Sequence, residues 1–229
     1  MIISHKHKFI FLKTTKTAGT SVEIALSKFC GPDDVITPLS RNDGKMRTRL
    51  GYPGPQNHYL PISSYGVKDF VNWLIKRDKK HFFNHISAKE VKAYIGDRVW
   101  RSYYKFCIER NPWDRCISLY FFRNRSEPRP LISKYIRSKA PLVLKKRGYD
   151  IYTINGTVAV DKVCRYENLT MELDEVRKHV GIPEKLQLPR AKSQFRKDKR
   201  SYQEILGRAD KARIAELFHD EINLFGYQW

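Results

Sequence analysis

The 229-residue chain is predicted to be an α/β protein, a central and mainly parallel sheet flanked by helices. Three observations carry this expectation. An apolar run at residues 7–13 gives way to small polar residues and then to a helical pattern; a second strand-to-helix switch falls at Arg110; and an alternating segment at 157–166 runs into a helix opened by Thr170. Strands that alternate with helices are joined by crossovers, which set neighbouring strands parallel. The length suits a single domain spanning 1–229.

The first strand, within His7–Lys13, leads through Thr14 to Ser21 into a helix carrying Val22, Ile24, Ala25 and Leu26, which should stop near Gly31-Pro32. From about 31 to 66 the chain is rich in Gly, Pro, Asn and Ser and reads as an irregular insertion. A helix near Lys68–Arg77 should bury Phe70, Val71, Leu74 and Ile75. Ser87 and Glu90 have capping-box spacing, so a helix starts there and should end at Gly96. Tyr103–Glu109 reads as a buried strand, and Asn111-Pro112 supplies a cap residue and a first-turn proline for the next helix. The helix after Thr170 should close at Gly181 and Pro183, and Asp210 should begin the last one.

A formal charge of +20 predicts a negatively charged partner, since such a field concentrates anions, but it does not distinguish nucleic acid, membrane, acidic glycan or phosphorylated ligand. Two stretches concentrate that charge: residues 123–147 hold nine Lys or Arg against one acid, and residues 185–200 hold seven against one. The first of these is either a solvated amphipathic helical segment or a wall facing an anionic ligand. The apolar stretch near the N-terminus is too short for a signal-peptide core or a membrane span, which predicts a cytoplasmic protein. Cys30, Cys107, Cys116 and Cys164 are too scattered for a zinc site or a disulfide framework and read as reduced, mostly buried thiols.

Small residues between a strand and a helix leave backbone amides to face an anion, and the helix N-terminus adds its positive end. Lys16 brings a charge to that loop, with Thr17, Ala18, Gly19, Thr20 and Ser21 behind it as amide and hydroxyl donors. The lysine leads the loop instead of closing it, which weakens a kinase reading, and no carboxylate beside it suggests a metal site. At the second switch, Arg110 emerges at a strand end and Ser118 lies about two turns into the next helix, on the side of Asp114 and Arg115. An arginine and a hydroxyl can clamp one phosphate; equally, Arg110 can pair with Asp114.

Taken together, four segments resemble the carbohydrate sulfotransferases that act on heparan and chondroitin. These are Lys16–Ser21, Arg110–Tyr120, Arg165-Tyr166-Glu167-Asn168-Leu169 and the ending Leu224-Phe225-Gly226-Tyr227. The chain departs at Thr15, where that family usually carries proline, and in the region 31–83, which leaves the acceptor unassigned. The resemblance implies a P-loop NTPase-like sulfotransferase fold and transfer of a sulfuryl group from 3′-phosphoadenosine 5′-phosphosulfate, without a metal, to a hydroxyl of an anionic or neutral glycan. It implies that Lys16 and the loop to Ser21 hold the 5′-phosphate, Arg110 and Ser118 the 3′-phosphate, and that Tyr166 touches the adenine. His85, just before the capped helix, matches a histidine of several relatives and is the candidate base; His58 and His81 are its rivals. Glu109 and Glu167 read as partners of neighbouring arginines. A nucleic-acid-binding protein and a P-loop kinase remain the alternative functions, the first explaining the charge but not the paired loops.

Overall fold

The computed structural model describes residues 1–77, 79–191, 196, 198 and 200–229. Its elements begin with strands β1 (Ile2–Ser4) and β2 (Phe9–Phe11), helix α1 (Gly19–Ser27), strand β3 (Val35–Ile36) and helices α2 (Arg41–Arg49), α3 (Val67–Lys76) and α4 (Ala88–Ser102). Strand β4 (Tyr104–Glu109) feeds α5 (Pro112–Arg123), followed by α6 (Ile132–Arg137), α7 (Leu142–Lys146) and α8 (Tyr149–Tyr152). A small hairpin, β5 (Thr153–Ile154) and β6 (Thr157–Val158), precedes β7 (Lys162–Arg165). The chain finishes with α9 (Leu169–His179), α10 (Tyr202–Ile205), α11 (Arg208–Leu217) and α12 (His219–Phe225).

The α/β class holds; the sheet is mixed, a parallel core of three strands with an antiparallel edge. Its order is β3-β1-β2-β4-β7; β1 is antiparallel to both β2 and β3, whereas β2, β4 and β7 run parallel. The cause is local. Only His5–Lys8 separate β1 from β2, too few for a crossover, so the chain turns back as a hairpin, with the Asp34 carboxylate accepting from the His5 and Lys6 amides. The apolar run before that turn is three residues long, which hid β1 from a periodicity argument.

Alternation along the parallel strands divides the core. Ile10, Leu12 and Cys107 face one layer with Ile86 and Val91, while Phe9, Phe11, Phe106 and Ile108 face the other with Val22, Leu26 and Val176. Each fully buried Phe or Ile contributes about 1.5–3 kcal/mol. A third cluster joins α5 to the C-terminal helices through Trp113, Ile117, Ile214 and Phe218.

Several sequence expectations are met in detail. Ser87 caps α4 and Glu90 returns the bond, and Asn111 accepts from the Trp113 and Asp114 amides above Pro112. The four cysteines are free, three of them buried. Others need correction. The segment 31–66 contains β3 and α2, because Ser40 and Asp43 support a helix start and Arg47 is drawn into the core by Glu23. At Gly96 the backbone leaves the helical region, with φ 78° and ψ 162°, so the first helical stretch of α4 ends there as expected, but a second stretch continues directly to Ser102. Residues 157–166 split between two sheets. Helix α3 forms, but the apolar residues expected to be buried on it are exposed. Among the described residues, no helix is long and apolar enough to cross a membrane.

Candidate active site

Because β2, β4 and β7 are parallel, their carboxyl ends lie at one edge, and the three segments that leave them meet there. Between them lies a cavity of about 580 Å³, lined by Lys16, Ala18, Gly19, Thr20 and Ser21 from the first loop and by Arg110 and Ser118 from the second. Tyr166 and His85 line it as well. The two turns touch directly: Arg110 Nη1 donates to the Lys16 carbonyl at 3.2 Å.

The first loop is held in an uncommon backbone shape. Lys16 and Ala18 have φ of 68° and 60°, in the left-handed region that L-residues rarely adopt. Ala18 carries no capping side chain for α1, so its own side chain takes none of the first-turn amides. Gly19 is required by close approach: a Cβ there would lie 2.9 Å from Lys13 Cγ. Thr17 departs from expectation. It is fully buried and does not line the cavity; its hydroxyl is 2.8 Å from that of Thr14, which in turn donates to the Ile108 carbonyl. Thr17 thus fastens the loop to β4 instead of offering its hydroxyl to a ligand.

Arg115, buried to 1% exposure, ties three walls together. Its Nε donates to the Thr15 carbonyl at 2.8 Å, its Nη1 pairs with Glu109 at 2.5 Å, and its Nη2 donates to the Leu144 and Arg147 carbonyls, each at 3.2 Å. Gly148 packs against that guanidinium, and a Cβ there would come within 2.4 Å of Nη2 and 2.5 Å of the Leu144 carbonyl. Gly148→Ala should therefore cost about 1–3 kcal/mol as overpacking, a fall in Tm of a few degrees up to about ten, measurable by calorimetry. An unchanged Tm would show that this contact relaxes freely.

Arg110 does pair with Asp114, through Nε at 2.8 Å and Nη2 at 2.5 Å, and its guanidinium lies 4.0 Å from the centroid of the Tyr166 ring. Burial pushes the Asp114 carboxyl up, but Arg110 and Arg196 outweigh it and hold the group below the usual carboxylate range. Arg196 reaches the other Asp114 oxygen at 2.5 Å. The carboxylate therefore positions two arginines, and pairing and lining of the cavity coexist for Arg110. Glu109 binds Arg115 as expected. Glu167 instead accepts from the Asn111 amide at 2.8 Å, which joins the third segment to the second.

His85 is the one of the three candidate histidines that lines the cavity; His58 and His81 do not. It sits at φ 66°, with Nδ1 2.8 Å from the Lys13 carbonyl and 3.3 Å from the Thr15 hydroxyl. A carbonyl can only accept, so Nδ1 carries the proton and Nε2 keeps its lone pair. Burial lowers the imidazole to about 4, with Lys13 and Arg147 adding to the effect, so the ring is neutral at pH 7.

Sequence reading missed Lys13, Asn84 and the individual arginines. Lys13 Nζ lies 2.7 Å from Glu23 and 3.1 Å from Asn84 Oδ1. Burial alone would raise Glu23, but the Met1 amino group, Lys13 and Arg47 hold it at about 2. From the two basic stretches, Arg123, Arg147, Arg190 and Arg196 line the cavity, while Lys146 and Arg200, for example, are exposed. Lys192, Lys197 and Lys199 lie outside the described residues. Among the described lining residues the only acid is Asp43, against two lysines and five arginines. No group of three or more His, Cys, Asp or Glu among the described residues is placed to hold a metal ion.

A cationic cavity between two strand-to-helix turns, with a neutral histidine on its wall, has electrostatics that favour an anionic ligand beside a proton acceptor. The family model for sulfotransferases matches residues 1–153, a span that contains both turns and His85. The chain belongs to the sulfotransferase family. As a sulfotransferase it is a transferase that moves sulfuryl groups to an acceptor hydroxyl. A relative from Archaeoglobus fulgidus, named only as an uncharacterized protein, is 30% identical over 99 residues, which are 42% of this sulfotransferase and 82% of the relative. No solved structure matches.

Proposed function

We propose that this sulfotransferase transfers the sulfuryl group of 3′-phosphoadenosine 5′-phosphosulfate to a hydroxyl of a carbohydrate. The observation that carries the reading is the contact between the two turns on one cavity wall, which lets a single doubly phosphorylated nucleotide engage both. Lys16 and the amides of Ala18 to Ser21 suit the 5′-phosphosulfate end. Arg110 and Ser118 suit the 3′-phosphate, with Tyr166 beside Arg110 for the adenine. The remaining cations of the lining favour an acidic glycan over a neutral one.

In the reaction the acceptor oxygen attacks sulfur as the bond from sulfur to the 5′-phosphate oxygen breaks. The hydroxyl proton passes to His85 Nε2, and charge gathers on the leaving phosphate oxygen, where Lys16 and the loop amides stabilise it. Bound donor raises the basicity of His85, since its negative charges offset the cations that depress the imidazole.

A transfer assay with radiolabelled sulfonate donor against glycans and small alcohols tests this, and label in a glycan is the expected result. Arg110→Ala should weaken binding of adenosine 3′,5′-bisphosphate by about tenfold or more in calorimetry, as loss of a hydrogen bond to a charged group predicts. Unchanged affinity would remove Arg110 from the site. Magnesium-dependent ATP turnover, or salt-sensitive oligonucleotide binding without nucleotide binding, would replace the proposal altogether.

A further inference from the structure

We propose that α3 is a membrane-surface helix, through which the protein docks on a bilayer carrying anionic lipid. Helix α3 reverses the usual arrangement of an amphipathic helix. Val67, Phe70, Val71, Leu74 and Ile75 recur at helical spacing and form one stripe, yet they are 85%, 42%, 44%, 50% and 74% exposed. No residue of α3 is buried. The half-buried residues of the helix, Asp69, Asn72 and Trp73, lie on the other side, and Asp69 is held there by Lys80 Nζ at 2.8 Å. Ile62, in the turn that precedes the helix, is 50% exposed and extends the apolar surface.

A stripe of five large apolar side chains in water is unfavourable and marks a contact surface. Charge decides what covers it. Lys68, Lys76, Arg77 and Lys79 stand exposed beside and just beyond the stripe, and Lys80 neutralises Asp69, the acid on α3. A second copy of the chain would set the same cations, and a second net charge of +20, against this face. An anionic lipid surface attracts them instead. A helix lying flat at that surface sinks its apolar face to the acyl boundary, while lysine and arginine stems reach back to the headgroups. The inference stands apart from the proposed reaction, since it uses no residue of the cavity.

Co-sedimentation of the full chain with vesicles tests it. Partition is expected into vesicles of phosphatidylcholine mixed with phosphatidylserine, weakening as salt is added, and not into phosphatidylcholine alone. Phe70→Ser with Leu74→Ser should lower the partition coefficient by at least about tenfold. Lys76→Glu with Arg77→Glu, which leaves the stripe intact and so serves even if the first variant fails to fold, should lower it by about thirtyfold or more. The proposal falls if the protein ignores both vesicle types or binds both equally, or if neither variant changes partition. It falls equally if ultracentrifugation shows a dimer that the first variant abolishes while no vesicle binding occurs.

Discussion

His85→Asn is expected to lower kcat by about 10²–10⁴-fold, the usual contribution of general-base catalysis. Asparagine separates the two things His85 does. Its side-chain amide still donates to the Lys13 carbonyl and it tolerates the positive φ, so the loop shape survives. What it lacks is a lone pair that can take a proton at neutral pH. The pH profile gives a second, independent readout. The neutral imidazole is the active form, so activity is present above its pKa and lost as pH falls through it. In kcat/KM, which reports the free enzyme, that acid limb lies near the lowered value of about 4. In kcat it should lie somewhat higher, because the donor's charges offset Lys13 and Arg147, while the burial that causes most of the lowering remains. His85→Asn should abolish the limb in both. If the variant turns over at the native rate, or keeps the same acid limb, His85 is not the base.

Lys16→Met is expected to lower kcat by about 10²–10³-fold, as when one charge-stabilising donor is removed from a preorganised site. Methionine keeps an unbranched stem and leaves the strain at φ 68° unchanged, so the lost charge is isolated. The Lys16 amine lies 4.4 Å from the centroid of the Phe122 ring, a cation–π contact that orients it. Lys13 lines the same cavity, but Glu23 sits 2.7 Å from its amine and cancels most of its field there. Substitution at Lys16 should therefore act mainly on kcat, since leaving-group charge appears only in the transition state. A variant that loses donor affinity and keeps kcat would make Lys16 a binding residue alone.

Both expectations depend on an arrangement in which sequence and tertiary structure had different shares. The loop from Lys16 to Ser21 and the segment from Arg110 to Ser118 were legible because strand-to-helix turns leave local marks: small residues before one helix, Asn111-Pro112 before the other. The capping box at Ser87 was legible for the same reason. Thr17 belongs to the same local pattern, yet its hydroxyl turns inward to Thr14, a choice made by the nearness of β4. Lys13 and Arg115 left no such mark, because their partners Asn84 and Thr15 are 71 and 100 residues away. For α3 the helical period is right and the burial reversed; periodicity reports that one face is apolar, but not what that face meets.

From the chain alone the α/β class, both strand-to-helix turns and the family could be read, since backbone shape and helix starts depend on neighbours in the chain. Tertiary structure decided that the sheet is mixed, that His85 and not His58 or His81 reaches the cavity, and which arginines line it. Those outcomes depend on which strand ends lie side by side, and that is fixed by long-range pairing, here the parallel register of β2, β4 and β7.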